Sequence, residues 1–120
     1  MSQDNDLKIV TAANIKQKSV NNLVQRIGNI FDSFAQVKQL IKVKDGGTVW
    51  LGSEGENVLQ ILSELIQVVS DIAQTAATHK HEYTDNGNPK VTKVPQQAGD
   101  FNGEKDSADQ LKWRIDPIVE

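Results

Sequence analysis

The chain has 120 residues, no cysteine and a formal net charge of −3. The lack of cysteine excludes disulfide bonds and thiolate metal sites, and the mild charge, without a large basic cluster, argues against nucleic acid as a partner. No apolar run approaches the roughly 20 residues that span a bilayer, so stable membrane insertion is not expected either.

Residues 1–52 are predicted to form a stalk-like or helical segment that ends in a β hairpin. The first six residues are polar and acidic, unlike a signal peptide, so we expect synthesis inside a cell without a classical export signal. Residues 7–11 alternate weakly and predict a short strand. A heptad-like helix is predicted for residues 20–41, because apolar side chains recur there at spacings of three and four. Those side chains are Val20, Leu23, Ile27, Ile30, Phe34, Val37 and Ile41.

The hairpin at the end of this segment is predicted from residues 41–51. Residues 41–44 alternate apolar and basic side chains, residues 45–47 read Asp-Gly-Gly, and residues 48–51 are β-prone. Two β-prone runs around such a turn favour a hairpin or two rungs of a larger β structure.

The clearest predicted element is a heptad helix within residues 53–81. Ser53 and Glu56 match a capping box at its start. The apolar positions flanking its seam make a stripe wider than a two-stranded coiled coil needs, which favours a parallel three-stranded bundle or burial against a neighbour on each side. The predicted oligomer interface consists of the seam residues Val58, Leu62, Leu65, Val69, Ile72 and Ala76.

The remaining chain is predicted to be an arm followed by a short helix. Residues 82–106 contain several turn dipeptides and little apolar content, which is typical of an extended loop or arm. Ser107 opens a second capping box, and the helix over residues 107–120 would place Leu111, Ile115 and Ile118 on one face until Pro117 ends it.

Motifs for catalysis are absent from the sequence. It contains no nucleophile elbow, no phosphate-cradling glycine loop and no metal-binding His-Glu pair on one helix face. We therefore expect a protein that is not an enzyme.

His79 and His81 are the one candidate for inorganic chemistry. One residue apart, they project to the same side if the backbone is extended. Two imidazoles are too few for a stable site, but three copies on a threefold axis would offer six, enough for an octahedral iron or other transition-metal ion. Otherwise no cofactor is expected. The alternative is two solvated histidines at a helix end, where positive charge is favourable.

Several phrases of the sequence resemble the C-terminal region of bacteriophage tail spike and baseplate hub proteins. They are Thr-Val-Trp-Leu-Gly-Ser-Glu at 48–54, Asn-Val-Leu-Gln-Ile-Leu-Ser-Glu-Leu at 57–65, Ala-Thr-His-Lys-His at 77–81, and the closing residues 111–119. The resemblance implies a trimeric virion protein without catalytic residues, and in relatives that end in His-x-His three chains bind an iron ion. Such proteins usually carry an N-terminal barrel as well, for which we expect these 120 residues to leave no room.

Together these observations predict an α+β protein: an elongated homotrimer with a parallel helical bundle next to short β-stalk segments, plus a short C-terminal helix. The expected function is that of a structural component of a phage or phage-derived tail spike or baseplate tip, which attaches to or penetrates the host envelope. It would be made in the host cytoplasm, and it would bind other tail or baseplate proteins in the virion. The alternative is a small adaptor or chaperone-like module that grips partners with its amphipathic helices.

Overall fold

The computed structural model describes residues 5–120, and the chain divides into two compact units, Met1–Gln39 and Leu40–Glu120. The α+β class is confirmed, since the second unit holds two α-helices and a two-stranded sheet. No helix in the described part of the chain is long and apolar enough to cross a membrane.

The N-terminal unit contains neither helix nor strand over residues 5–39, and every one of these residues is exposed. The strand predicted at residues 7–11 and the helix predicted over residues 20–41 are therefore wrong. The backbone instead bends at residues 12–13, 20–21, 28–29 and 36–37, once every eight residues. Asn21, Asn22, Gly28 and the many β-branched side chains all have low helix propensity, so the apolar spacing alone does not stabilise a helix.

Helix α1 spans Val58–Thr78 and confirms the predicted heptad helix. Its interior contains no glycine or proline, and its apolar residues follow the helical period throughout. Helix α2 spans Ala98–Ile115 and runs antiparallel to α1, and a 3₁₀ turn, Asp116–Ile118, follows it.

The segment between the helices is not an extended arm as predicted. Strands β1 (Glu82–Asp85) and β2 (Asn88–Val91) form an antiparallel hairpin. Its two-residue turn consists of Asn86 and Gly87 with φ of 49° and 82°. Two positive φ values define the hairpin turn that an Asn-Gly pair favours, and this is the local signal that sets the hairpin.

The C-terminal helix begins nine residues earlier than the sequence predicted. Ser107 lies inside α2, where its hydroxyl donates a hydrogen bond to the Gly103 carbonyl at 3.0 Å, so it caps nothing. Leu111 and Ile115 do belong to α2, and Ile118 follows in the 3₁₀ turn.

A buried asparagine, Asn57, joins the start of α1 to two other segments. Its side-chain oxygen accepts hydrogen bonds from the backbone N–H groups of Leu59 (3.1 Å) and Leu51 (3.3 Å), and its amide donates to the carbonyls of Val49 (3.1 Å) and Glu120 (3.4 Å). Asn57 is therefore the helix N-cap. The predicted cap, Ser53, closes the preceding turn instead.

The predicted hairpin at residues 41–51 forms its turn but not its ladder. The turn is present at residues 45–46, and the Gly47 N–H donates to the Lys44 carbonyl at 2.8 Å. Val49, however, pairs in parallel with Val119. The β-prone residues 48–51 thus find their partner at the far end of the sequence, which local pattern cannot reveal.

Candidate assembly face and histidine pair

The large apolar side chains of α1 form a continuous exposed surface, which we call the apolar face. It consists of Val58, Ile61, Leu62, Leu65, Val68, Val69 and Ile72. At 3.6 residues per turn these positions span about 120° of the helix circumference. Leu65 is 57% exposed and Ile72 is 63% exposed. Five of the six predicted interface residues lie on this face and Ala76 is half-buried beside it, so the interface itself stays a prediction.

Helix α2 packs on the side of α1 next to the apolar face, and that side carries small side chains. Ser63, Ser70, Ala73 and Ala77 are the buried residues of α1, and Ala108 is the buried residue of α2. Small side chains allow the two helices to approach closely but remove little apolar surface from water. The contact with α2 therefore leaves the apolar face uncovered.

Two polar clusters, seven residues apart on each helix, hold α2 on α1. In the Ser70 cluster, the Ser70 hydroxyl donates to Asp109 at 2.5 Å, and the Lys105 ammonium donates to the same carboxylate at 2.5 Å. Charge-assisted hydrogen bonds of this kind are stronger than neutral ones.

The Ser63 cluster repeats this arrangement one heptad away. The Ser63 hydroxyl donates to Asp116, and Lys112 donates to Asp116 at 2.9 Å and to Ser63 at 3.0 Å. A serine beside a lysine and a carboxylate resembles a nucleophile with its base, but Ser63 is only 2% exposed. Because the same pattern recurs at Ser70, we interpret both clusters as helix-to-helix contacts.

Sequence reasoning missed these clusters, although the sequence carries their signal. Ser63 and Ser70 are seven residues apart, and a Lys-x₃-Asp pair occurs twice with the same spacing, at residues 105–109 and 112–116. Only the fold shows that the two repeats face each other.

The hydrogen bonds in the clusters shift the pKa values of the acids. The hydrogen bond from Lys105, and to a lesser extent the one from Ser70, holds the pKa of Asp109 below its ordinary value. The hydrogen bond from Ser63, and to a lesser extent the one from Lys112, lowers the pKa of Asp116 in the same way. The hydrogen bond to Asp109 in turn raises the pKa of Lys105.

Acid should therefore weaken the hold of α2 on α1. A carboxylate with a depressed pKa contributes stability that is present above its unfolded pKa, about 4, and is lost as pH falls through the lower folded value. We expect the urea midpoint to fall progressively once the pH drops below about 5. We expect Asp109→Asn with Asp116→Asn to lower the midpoint already at neutral pH and to reduce its further fall in acid. The control Asp100→Asn with Glu104→Gln removes the same charge from exposed positions of α2 and should retain the fall. An equal fall in the Asp109/Asp116 variant would contradict the role of the clusters.

The histidine pair lies where α1 passes into the hairpin. His79 follows the last helical residue with φ −63° and ψ 148°, so the backbone is extended at His79. The hairpin holds His81, whose N–H donates to the Thr92 hydroxyl while its carbonyl accepts from the Thr92 N–H, both at 2.8 Å. The two exposed rings lie edge to face, with centroids 5.3 Å apart.

The geometry of His79 suits a ligand, but one chain does not complete a site. The His79 Nδ1 lies 2.7 Å from the Ala76 carbonyl, and a proton on Nδ1 leaves the Nε2 lone pair free, which is the usual tautomer of a metal-bound histidine. No cluster of three or more histidine, cysteine, aspartate or glutamate side chains suited to a metal occurs within residues 5–120. Any metal held here needs imidazoles from further copies.

Comparisons with known proteins connect the chain to a bacteriophage. A curated protein, the uncharacterized 58.7 kDa protein in the lys 3′ region of Haemophilus phage HP1, is 34% identical over 71 residues, or 59% of this chain. The chain spans 12% of the length of that protein. No family model and no solved structure matches the chain. The chain is thus related to part of a phage protein.

Proposed function

We propose that this chain is a structural component of a phage or phage-derived tail spike or baseplate tip and acts as a homotrimer at the host envelope. The observation that carries the proposal is the amount of apolar surface that a single copy leaves in water, on α1 and along the N-terminal unit. Contiguous exposed apolar surface of this kind marks a protein–protein interface.

The first support is the apolar face of α1. A large apolar side chain contributes about 1.5–3 kcal/mol when it moves from full exposure to full burial, and those of the face are about half exposed. An apolar stripe covering about a third of the circumference is wider than the seam of a two-stranded coiled coil. In a bundle of three parallel α1 helices, the two neighbouring copies would bury the apolar face of each helix from both flanks. The result would be a stiff rod.

The second support is the N-terminal unit. Within residues 9–39 the backbone groups form no hydrogen bonds with one another, and all the apolar side chains are exposed. A segment in this state gains both backbone hydrogen bonds and buried apolar area when it pairs as a strand with the same segment of other copies. The bends that recur every eight residues would let three copies meet in the same register, which provides the β-stalk segments next to the helical bundle.

The place of the protein in a phage tail rests on two further observations. The relative in phage HP1 connects the chain to a virus. The phrases at residues 48–54, 57–65 and 77–81 resemble the C-terminal regions of tail spike and baseplate hub proteins. A trimeric rod that carries these phrases would be a virion component. It would dock on neighbouring tail proteins and act mechanically on the host envelope.

The molecular mass in solution tests the trimer. Light scattering or sedimentation should give about 40 kDa, three times the chain mass of 13.2 kDa, over a wide range of protein concentration. A folded monomer would overturn the proposal and would favour the adaptor-like binding module with an open apolar face.

We further propose that His79 and His81 of three copies hold an iron or other transition-metal ion on the threefold axis. Protein made without a histidine tag should contain about one ion per three chains, and His79→Ala with His81→Ala should remove it, because these are the chain's two histidines. The control Lys80→Ala changes the residue between them and should retain the metal. A trimer that binds less than this amount after incubation with ferrous iron would contradict the site.

A further inference from the structure

The groove between α1 and α2 on one flank of the apolar face is lined by apolar side chains and one arginine. Its volume is about 290 Å³, and its lining residues are Leu62, Ile66, Leu111, Arg114, Ile115 and Ile118. Leu62, Leu111 and Ile118 are each more than 40% exposed, so neither helix of the same chain fills the groove.

Arg114 is the charged residue at this groove, and it lacks an ion-pair partner among residues 5–120. The two lysines on the same helix, Lys105 and Lys112, are each paired with an aspartate four residues later. A guanidinium beside apolar side chains favours an occupant that brings a carboxylate with it.

The complementary charge lies on the other flank of α1. The charged residues of that helix are Glu64 and Asp71, both acidic. At 3.6 residues per turn, Glu64 is about 160° around the helix from Leu62, so the apolar face separates the carboxylate from the groove. One oxygen of Glu64 accepts a hydrogen bond from Gln60 at 3.1 Å, which leaves the other oxygen available.

We propose that the groove receives helix α1 of the next copy in the trimer, with Arg114 of one copy paired to Glu64 of that copy. The inference rests on the parallel homotrimer proposed above. In such a ring each helix turns one flank to the preceding copy and the other flank to the following copy. Parallel copies meet at equal heights, and Arg114 lines the groove at the level of residues 62–66, where Glu64 of the neighbour lies. Each α2 then spans two central helices, which gives three α1 helices inside and three α2 helices outside.

Cysteine cross-linking tests this arrangement, because the chain contains no cysteine of its own. With Glu64→Cys and Arg114→Cys in one chain, a short bismaleimide cross-linker should produce covalent dimers and trimers on a denaturing gel. Each single variant should remain a monomer on the gel. The control pair Gln74→Cys with Arg114→Cys moves one thiol nearly three turns along α1, on the order of 15 Å, and should give no covalent trimer.

Charge reversal gives a second readout that does not depend on added thiols. Arg114→Glu should raise the concentration at which the trimer dissociates by on the order of tenfold, and adding Glu64→Arg should restore it. Two results would overturn the groove contact while leaving the trimer in place. The first is a trimer of the right mass that gives no intermolecular cross-links. The second is a double charge reversal that dissociates at the same concentration as Arg114→Glu alone. A monomeric unmodified protein would overturn the trimer and the groove contact together.

Discussion

Leu65→Glu combined with Ile72→Glu is expected to convert the assembled protein into monomers. Both side chains lie near the midline of the apolar face and are more than half exposed in a single copy. In the trimer each would lose its remaining exposure, which contributes roughly 1–2 kcal/mol for a side chain about 60% exposed in one copy, and each substitution would add the cost of an unpaired buried carboxylate. Because six such sites occur per trimer, the lost burial adds up to about 6–12 kcal/mol, which is comparable to the free energy of a micromolar to nanomolar complex. The molecular mass in solution should fall to that of one chain, and circular dichroism should still report helix.

A matched control separates the position of the charge from the charge itself. Gln74 on α1 and Gln110 on α2 are exposed and lie off the apolar face. Gln74→Glu with Gln110→Glu adds the same two negative charges and should leave the mass unchanged. A trimer that survives Leu65→Glu with Ile72→Glu would show that another surface holds the copies together.

The same apolar spacing predicted α1 correctly and the N-terminal unit wrongly, and the reason is local. Helix α1 has no interruption in 21 residues, so periodicity and helix propensity agree. In residues 20–41 the spacing of three and four is equally regular, but Asn21, Asn22 and Gly28 oppose a helix. An apolar spacing of three and four is therefore insufficient evidence when the residues between the apolar positions disfavour the helix.

Helix α2 was recognised only in its last part because its sequence contains no long apolar stripe. Residues 98–106 are mostly polar, and the pairs Lys105–Asp109 and Lys112–Asp116 stabilise α2 through Ser70 and Ser63 of the other helix. A contact made by serine and ion pairs cannot be found by a search for hydrophobic periodicity. The histidine site stays a prediction: it needs an extended backbone after α1, which His79 has, and imidazoles from further copies.

The start of α1 shows how a long-range contact decides between two good caps. Ser53 and Glu56 do form the expected local hydrogen bond, in which the Glu56 N–H donates to the Ser53 hydroxyl at 3.2 Å. That bond closes a turn before the helix, and an alanine at Gly52 would place its Cβ 1.9 Å from the Glu56 carbonyl oxygen. Asn57 takes the cap because it also reaches Val49 and Glu120, which lie outside any local sequence window.

Asn57→Ala is expected to lower the free energy of unfolding by about 2–4 kcal/mol, because the substitution leaves two N–H groups and two carbonyls without their partner. Asn57 is only 3% exposed, so water replaces these hydrogen bonds poorly. The free energy of unfolding of Asn57→Asp should lie between those of Asn57→Ala and the unmodified protein, since a carboxylate still accepts a hydrogen bond from the Leu59 N–H but cannot donate one to the Val49 carbonyl. Urea denaturation at one fixed protein concentration measures the unmodified protein, Asn57→Ala and Asn57→Asp. The control is Asn102→Ala, on the exposed surface of α2, which should change the free energy of unfolding by less than about 0.5 kcal/mol. Equal stabilities of Asn57→Ala and the control would mean that residues 49–57 and the C-terminal residues are not held together through this side chain.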